Sequence, residues 1–122
     1  MASIKVLVLD DDEDITLLTR SALSMHGYQV TESNDPVQAL DQVRDTEFDL
    51  ILVDIMMPQM DGYEFIRRAQ QLRPDSNTRY AVLTAKQLNA EQRRAMFDFG
   101  AEIMTKPFIP MKLVERVADL LR

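Results

Sequence analysis

Five positions in this sequence could do chemistry together. Asp10 and Asp11 close the apolar run IKVLVL, Asp54 closes LILV, Thr84 closes YAVL, and Lys106 follows the short segment AEIM. If those segments are parallel strands, the side chains just after them gather at the carboxyl edge of one sheet, where open α/β sheets bind their ligands. The run from Asp10 to Asp14 holds five of the 20 acidic residues. Carboxylates a few ångströms apart repel by roughly 4 kcal/mol at an effective dielectric of about 20, so such a cluster needs solvent, protons or a cation. Placement at a helix entrance accounts for Asp12, Glu13 and Asp14. It leaves Asp10 and Asp11 unexplained beside another strand's Asp54. An all-oxygen set suits a hard cation, and Mg²⁺ keeps several waters, so two carboxylates and a carbonyl would suffice. Thr84 alone reads as a strand-end hydroxyl and Lys106 alone as a surface lysine. Together they complement an anion bound over the carboxylates, and a phosphoryl group satisfies all of them, with a carboxylate as its nucleophile.

The elements that must position these groups are legible. Residues 4–9 form a β-branched-rich apolar run bounded by charge, as in a strand buried on both faces. Residues 12–26 read as a helix with Ile15, Leu18, Ala22 and Met25 at helical spacing and Gly27 as its stop. Residues 28–32 make a weak second strand. Asp35 caps a second helix with Pro36 at its first position and Gln38 completing a capping box, and Val37, Leu40 and Val43 form its buried stripe. Residues 50–53 make a third strand, followed by a loop over 55–62 and a helix over 63–72. Residues 80–83 make a fourth strand. A helix follows from Asn89, boxed with Gln92, to Phe99, with Gly100 as its stop. Residues 101–104 make a short fifth strand, and 111–121 a last helix with Met111, Val114, Val117 or Ala118, and Leu121 on one face. Five strand-helix alternations imply a doubly wound α/β fold, a parallel five-stranded sheet with helices on both faces.

Composition narrows the function. At 122 residues, 46% hydrophobic and 28% charged, the chain fits one globular domain spanning residues 1–122. A net charge of −6 argues against a role that neutralises many phosphates, so no direct nucleic-acid partner is expected. Without cysteine there is neither a disulfide scaffold nor a thiolate metal site. No apolar run is long enough to span a bilayer and no signal-peptide pattern opens the chain, which together read as a cytoplasmic protein without membrane partners. His26, the only histidine, falls at the end of the first helix, where a helix-dipole partner is the simpler reading than a phosphotransfer group.

The pattern LVLDDDED, LILVDIMMPQMDG, AVLTA and IMTKPF, in that order and at the strand ends, resembles the receiver domain of two-component response regulators, including single-domain regulators of the chemotaxis type. The resemblance spans nearly the whole chain. It implies a flavodoxin-like sheet in the order 2-1-3-4-5. It implies Asp54 as phosphoacceptor, Asp10 and Asp11 with Asp54 as holders of Mg²⁺ (Mn²⁺ the alternative), and Met56 as donor of a backbone carbonyl to the metal. Thr84 and Lys106 would bind the phosphoryl oxygens, and the bond between Lys106 and Pro107 matches a position that is usually cis in the family. The expected partners are a histidine kinase or histidine phosphotransfer protein and a downstream protein or output domain. The surface of the fourth helix, fifth strand and fifth helix would respond to phosphorylation, in a monomer or a weak phosphorylation-dependent dimer. Such a chain is no enzyme on other substrates; it catalyses only its own phosphorylation and dephosphorylation.

Three departures bear on the switch. Ile103 stands where the family usually has Tyr or Phe, so no ring can swing there. Ile109 replaces a helix-capping Asp before Pro110. Met56 and Lys86 occupy positions that in the family tune the loss of phosphate. Three other readings fit parts of the pattern. The Asp-x-Asp within LVLDDDED also fits a haloacid-dehalogenase-like phosphohydrolase with Asp10 as nucleophile and Asp12 as general acid, although Asp14 and the short chain speak against it. A flavodoxin-like redox domain would set five acids against the phosphate of FMN. A phosphorylation-independent receiver-like interaction domain would have no use for Asp54, Thr84 and Lys106.

Overall fold

The computed structural model describes residues 3–85, 87–106 and 109–122. Five strands, β1 (Lys5–Leu9), β2 (Gln29–Ser33), β3 (Leu50–Asp54), β4 (Arg79–Thr84) and β5 (Ala101–Thr105), alternate with five helices, α1 (Glu13–Ser24), α2 (Pro36–Asp45), α3 (Gly62–Leu72), α4 (Ala90–Phe99) and α5 (Pro110–Leu120). The strands form one sheet in the order β2-β1-β3-β4-β5, and every pairing is parallel. The apolar runs expected to be strands are strands, and each boundary falls within a residue of expectation.

Side-chain alternation divides the core in two. Leu7, Leu9, Ile51, Val53 and Val82 pack with Ala39 and Val43 of α2, Phe65, Ile66 and Ala69 of α3, and Met96 of α4. Val6, Val8, Leu50, Leu52, Ala81 and Leu83 pack on the opposite face with Leu23 of α1 and Leu113, Val114 and Val117 of α5. The central strands are apolar at nearly every position because both of their faces are covered. β2, at the sheet's edge, is polar and only partly buried.

The helices depart from expectation in which residues they bury. In α1 the buried positions are Thr16, Thr19 and Leu23, whereas Leu18 is 43% and Met25 83% exposed. At about 100° per residue, Met25 lies half a turn around the helix from Thr16. Threonine is tolerated on the inner face because its hydroxyl can bond locally: Thr16 Oγ1 donates to the Glu13 carbonyl at 3.0 Å. In α2, Pro36, Ala39 and Val43 face inward and Val37 is exposed. In α5 the stripe is Leu113, Val114 and Val117; Met111, roughly 120° around from Val117, is exposed.

The caps mostly agree. Asn89 and Gln92 form a reciprocal capping box on α4, which ends at Gly100 in the left-handed region with φ 71°. Ile109 gives α5 no side-chain cap. The expected box on α2 does not form. Asp35 accepts from the Val37 amide, but Gln38 turns away to accept a hydrogen bond from Ser33 Oγ at 3.2 Å, because Ser33, buried at the end of β2, competes for its carbonyl. His26 sits at the C-terminus of α1 with Nδ1 3.0 Å from the Ala22 carbonyl, as a helix-end partner should.

Candidate functional site

The five expected residues converge. Asp10 directly follows β1, Asp54 is the last residue of β3, Thr84 the last of β4, and Lys106 directly follows β5. In-register parallel pairing aligns these ends, with Asp54 opposite Leu83 and Thr84 opposite Thr105. The backbone carries the alignment past the strands: the Lys106 amide donates to the Thr84 carbonyl at 2.8 Å, and the Ile55 amide to Leu83 at 3.2 Å. Asp10, Asp54 and Thr84 are all buried, which is unusual for carboxylates and is tolerable only with partners.

Those partners define the pocket. Lys106 Nζ lies 2.6 Å from Asp10 Oδ2 and 3.6 Å from Asp54 Oδ1. Asp10 Oδ1 accepts from the Asp12 amide at 3.0 Å, and Asp54 Oδ1 accepts from the Met56 amide at 3.3 Å. One carboxylate oxygen from each of Asp10, Asp11 and Asp54 falls within 4.8 Å of the others. Asp11 is the exposed member and opens the set to solvent. Among the described residues, three carboxylates face the one ammonium of Lys106, an excess of negative charge, so the donor set fits a divalent cation of the hard, oxygen-seeking kind.

Burial first, and then the charge of Asp10, push the Asp54 carboxyl up from its usual 3.8 to about 6, against the opposing pull of Lys106 and the Met56 amide. Burial disfavours the Lys106 ammonium, yet the hydrogen bond and charge of Asp10, aided by Asp54, outweigh it and hold Lys106 above its ordinary range. A carboxyl raised by folding favours the folded state most below its unfolded value, and that contribution is lost as pH rises through its folded value. In chelator-treated protein the Asp54 contribution is therefore full below pH 3.8 and disappears as pH climbs through 6, a change of roughly 3 kcal/mol at most. Urea midpoints of wild type and Asp54→Asn, measured from pH 4 to 7.5, should diverge, the wild type losing ground to the variant as pH rises. Parallel curves would mean Asp54 ionises as freely folded as unfolded.

Gly62 sets the distance between α3 and the end of β3. A Cβ there would lie 2.9 Å from both the Asp54 carbonyl oxygen and Ile55 Cα, and the Gly62 amide donates to the Ile55 carbonyl at 2.9 Å. Both obstacles are backbone and cannot swing aside. Gly62→Ala should cost about 1–3 kcal/mol of stability, read as a lowered urea midpoint; an unchanged midpoint would show that α3 can shift freely off β3.

The remaining expected residues are more dispersed. The Met56 side chain is 56% exposed and lines, with Ile55, Met57, Pro58, Asp61, Tyr63 and Gln92, a depression beside the pocket. Ile103, in β5, is partly buried and lines with Thr84, Gln87, Leu88, Arg93 and Thr105 a cavity of about 440 Å³. Lys86 and Pro107, with the peptide bond joining Pro107 to Lys106, lie outside the described residues. Asp12 is the N-cap of α1, its carboxylate accepting from the Asp14 amide at 2.9 Å. One residue that sequence reasoning did not single out also touches the acidic loop: Asn34 Nδ2 donates to the Asp10 carbonyl at 2.8 Å. Its only signal in the sequence is an amide side chain directly before the Asp35 cap.

Fold and site together define a flavodoxin-like α/β domain with a carboxylate pocket at its strand ends. The sequence matches the response regulator receiver domain across residues 6–118, and the chain belongs to that family, the phosphoacceptor switches of two-component signalling. It is 37% identical over 118 residues to the uncharacterized transcriptional regulatory protein YrkP of Bacillus subtilis, covering 97% of this chain and 49% of that protein. It is 36% identical over 121 residues to the response regulator MprA of Mycobacterium tuberculosis, covering 98% and 51%. The chain thus spans about half the length of these relatives. Among solved structures, the chemotaxis protein CheY4 of Vibrio cholerae superposes with a TM-score of 0.88 at 28% identity, covering 98% of this chain and all of the other. A CheY-like receiver from Methanospirillum hungatei superposes at 0.89, also at 28% identity, covering 98% and 94%.

Proposed function

We propose that residues 1–122 act as one receiver unit in which Asp54 accepts a phosphoryl group from a phosphohistidine of a partner histidine kinase or phosphotransfer protein, or from a small phosphodonor. An Asp54 carboxylate oxygen forms the new bond to phosphorus as the donor's bond to phosphorus breaks: from phosphohistidine the P–N bond breaks and the imidazole departs with a proton from solvent, and from an acyl phosphate the P–O bond breaks and a carboxylate departs. What supports this reading above all is Lys106, whose ammonium reaches both Asp10 and Asp54 from a strand end two strands away from β3. It can follow the charge that moves from the carboxylate to the phosphoryl oxygens. Thr84, on the intervening strand, offers a hydroxyl to the same group. Asp10, Asp11 and Asp54, with the Met56 carbonyl, would hold Mg²⁺. When bound, that ion would neutralise phosphoryl oxygens.

The carboxyl that a phosphohydrolase would use as its acid, Asp12, caps α1 by accepting from the Asp14 amide. Once phosphorylated, Asp54 carries added charge beneath Thr84 and Lys106, and the response would pass along β4 and β5 to the surface of α4, β5 and α5. With Ile103 in place of an aromatic, the adjoining cavity would be filled or vacated by modest shifts of the segment after Thr84. The reader of that surface would be an output domain or a separate cytoplasmic protein. Incubation with a small acyl phosphate and Mg²⁺ tests the reading. One hydroxylamine-labile phosphoryl group per chain, mapping to the peptide that contains Asp54, is the expected result; no labelling, or labelling at Asp10, would overturn it.

A further inference from the structure

We infer that Asn34 is a positioning residue for the acidic loop: its amide, reaching across from the β2 edge of the sheet, holds Asp10 and Asp11 in the crowded geometry that a divalent cation requires. The inference rests on the metal role proposed above for these carboxylates.

Asp10 is fixed on every side. Its amide donates to the Ser33 carbonyl at 3.2 Å, its carbonyl accepts from Asn34 Nδ2 at 2.8 Å, and its carboxylate is taken by Lys106 and the Asp12 amide. The same Asn34 nitrogen also donates to Thr16 Oγ1 at 3.0 Å, and that hydroxyl in turn donates to the Glu13 carbonyl. One side chain therefore ties the end of β1 to the first turn of α1 and spans the segment that carries Asp11. The base of this brace is itself rigid. The single Ser33 hydroxyl proton is shared between the Asp35 carbonyl at 2.9 Å and Gln38 Oε1 at 3.2 Å, and the oxygen accepts from the Asp35 amide at 3.2 Å, while Pro36 fixes the next torsion. The unformed capping box on α2 has its reason here: Gln38 holds the turn that holds Asn34.

Physically, the brace acts against repulsion. Asp10, Asp11 and Asp54 share one small volume, and the residues 10–13 would relieve their mutual repulsion by spreading. A loop kept compressed in the absence of metal meets the cation already organised, and preorganisation appears as affinity. Asn34 is exposed apart from this reach, so its replacement need not disturb the core. Lost hydrogen bonds and relieved repulsion then offset one another in the metal-free protein, and the loss is concentrated in metal binding.

The test uses Asn34→Leu, close to asparagine in shape but without a donor, and Thr16→Val, which removes the second acceptor. Mg²⁺ dissociation constants would be measured by calorimetry on the 122-residue chain, alongside chelator-treated melting curves. We expect Asn34→Leu to weaken Mg²⁺ about fivefold to tenfold, in line with one or two net hydrogen bonds, with metal-free melting nearly unchanged. The initial rate of labelling by an acyl phosphate should recover at saturating Mg²⁺, with only the half-saturating concentration raised. Thr16→Val should weaken binding less, and the two changes together should fall short of additivity because they share one brace. An unchanged dissociation constant in Asn34→Leu, against a wild type that binds Mg²⁺, overturns the inference alone. A wild type that binds no Mg²⁺ overturns the metal role beneath it. Equal losses of metal-free stability and affinity would mark Asn34 as a general structural prop and overturn the inference as well.

Discussion

Asp54→Asn is expected to abolish phosphoryl incorporation, by a factor of at least about a thousand, while leaving the fold intact or slightly more stable. The amide matches the carboxylate in shape, can keep its oxygen toward the Met56 amide, and lacks the charge that makes a carboxylate a nucleophile toward phosphorus. Stability should not fall, because ionised Asp54 is opposed by burial and by Asp10, and the neutral amide escapes both. Lys106→Ala makes an informative companion. It leaves the nucleophile in place but removes the ammonium beside Asp10 and Asp54, so it should slow labelling by about 10²–10³, the scale of losing one preorganised electrostatic partner. It should also destabilise the chain, since Asp10 is left buried without its cation. Intact-mass time courses with an acyl phosphate and Mg²⁺ would separate the cases. Equal labelling of wild type and Asp54→Asn would remove Asp54 from the reaction, and a Lys106→Ala variant at full speed would confine the lysine to a structural ion pair.

What the sequence revealed and what it concealed have separate physical causes. Strands buried on both faces read as unbroken apolar runs, so β1, β3 and β4 are legible together with the residues at their ends, Asp10, Asp54 and Thr84, whereas Lys106 follows the mixed, partly exposed β5. Helix faces are set by tertiary contacts, and periodicity counts only apolar side chains. Thr16 and Thr19 are polar by type yet buried in α1, so the inferred stripe slid toward Leu18 and Met25. The capping box on α2 fits Asp35 and Gln38 by spacing, but spacing cannot show that Ser33, folded in from the neighbouring strand end, takes the glutamine's oxygen. Asn34 escaped notice for the same reason. Its partners, the Asp10 carbonyl and Thr16 Oγ1, lie 24 and 18 residues away, and a backbone carbonyl leaves no trace in the residue type.

Mg²⁺ is expected to stabilise this chain strongly, because the folded pocket collects three carboxylates that the unfolded chain disperses. Metal at about a hundred times its dissociation constant should add roughly 2.7 kcal/mol, a rise of roughly 10 °C in melting temperature for a domain of this size. Lys106 already offsets part of the repulsion through Asp10, and Asp11, exposed and in no salt bridge among the described residues, is where the remaining negative charge meets solvent. Asp11→Ala should therefore leave the metal-free melting temperature unchanged or raise it, and should erase most of the Mg²⁺ response. Sodium chloride at matched ionic strength should reproduce little of the effect, since screening acts weakly on buried groups. The response should also shrink on acidification, because protons compete for Asp54, whose carboxyl titrates near 6: millimolar Mg²⁺ that stabilises fully at pH 7.5 should do markedly less at pH 5. Differential scanning calorimetry of wild type and Asp11→Ala, with and without Mg²⁺ at both pH values, would check each step. A wild-type melting temperature indifferent to Mg²⁺ at pH 7.5 would mean that Lys106 alone suffices to balance the pocket, and an Asp11→Ala variant with a full response would place the ion on Asp10 and Asp54 without it.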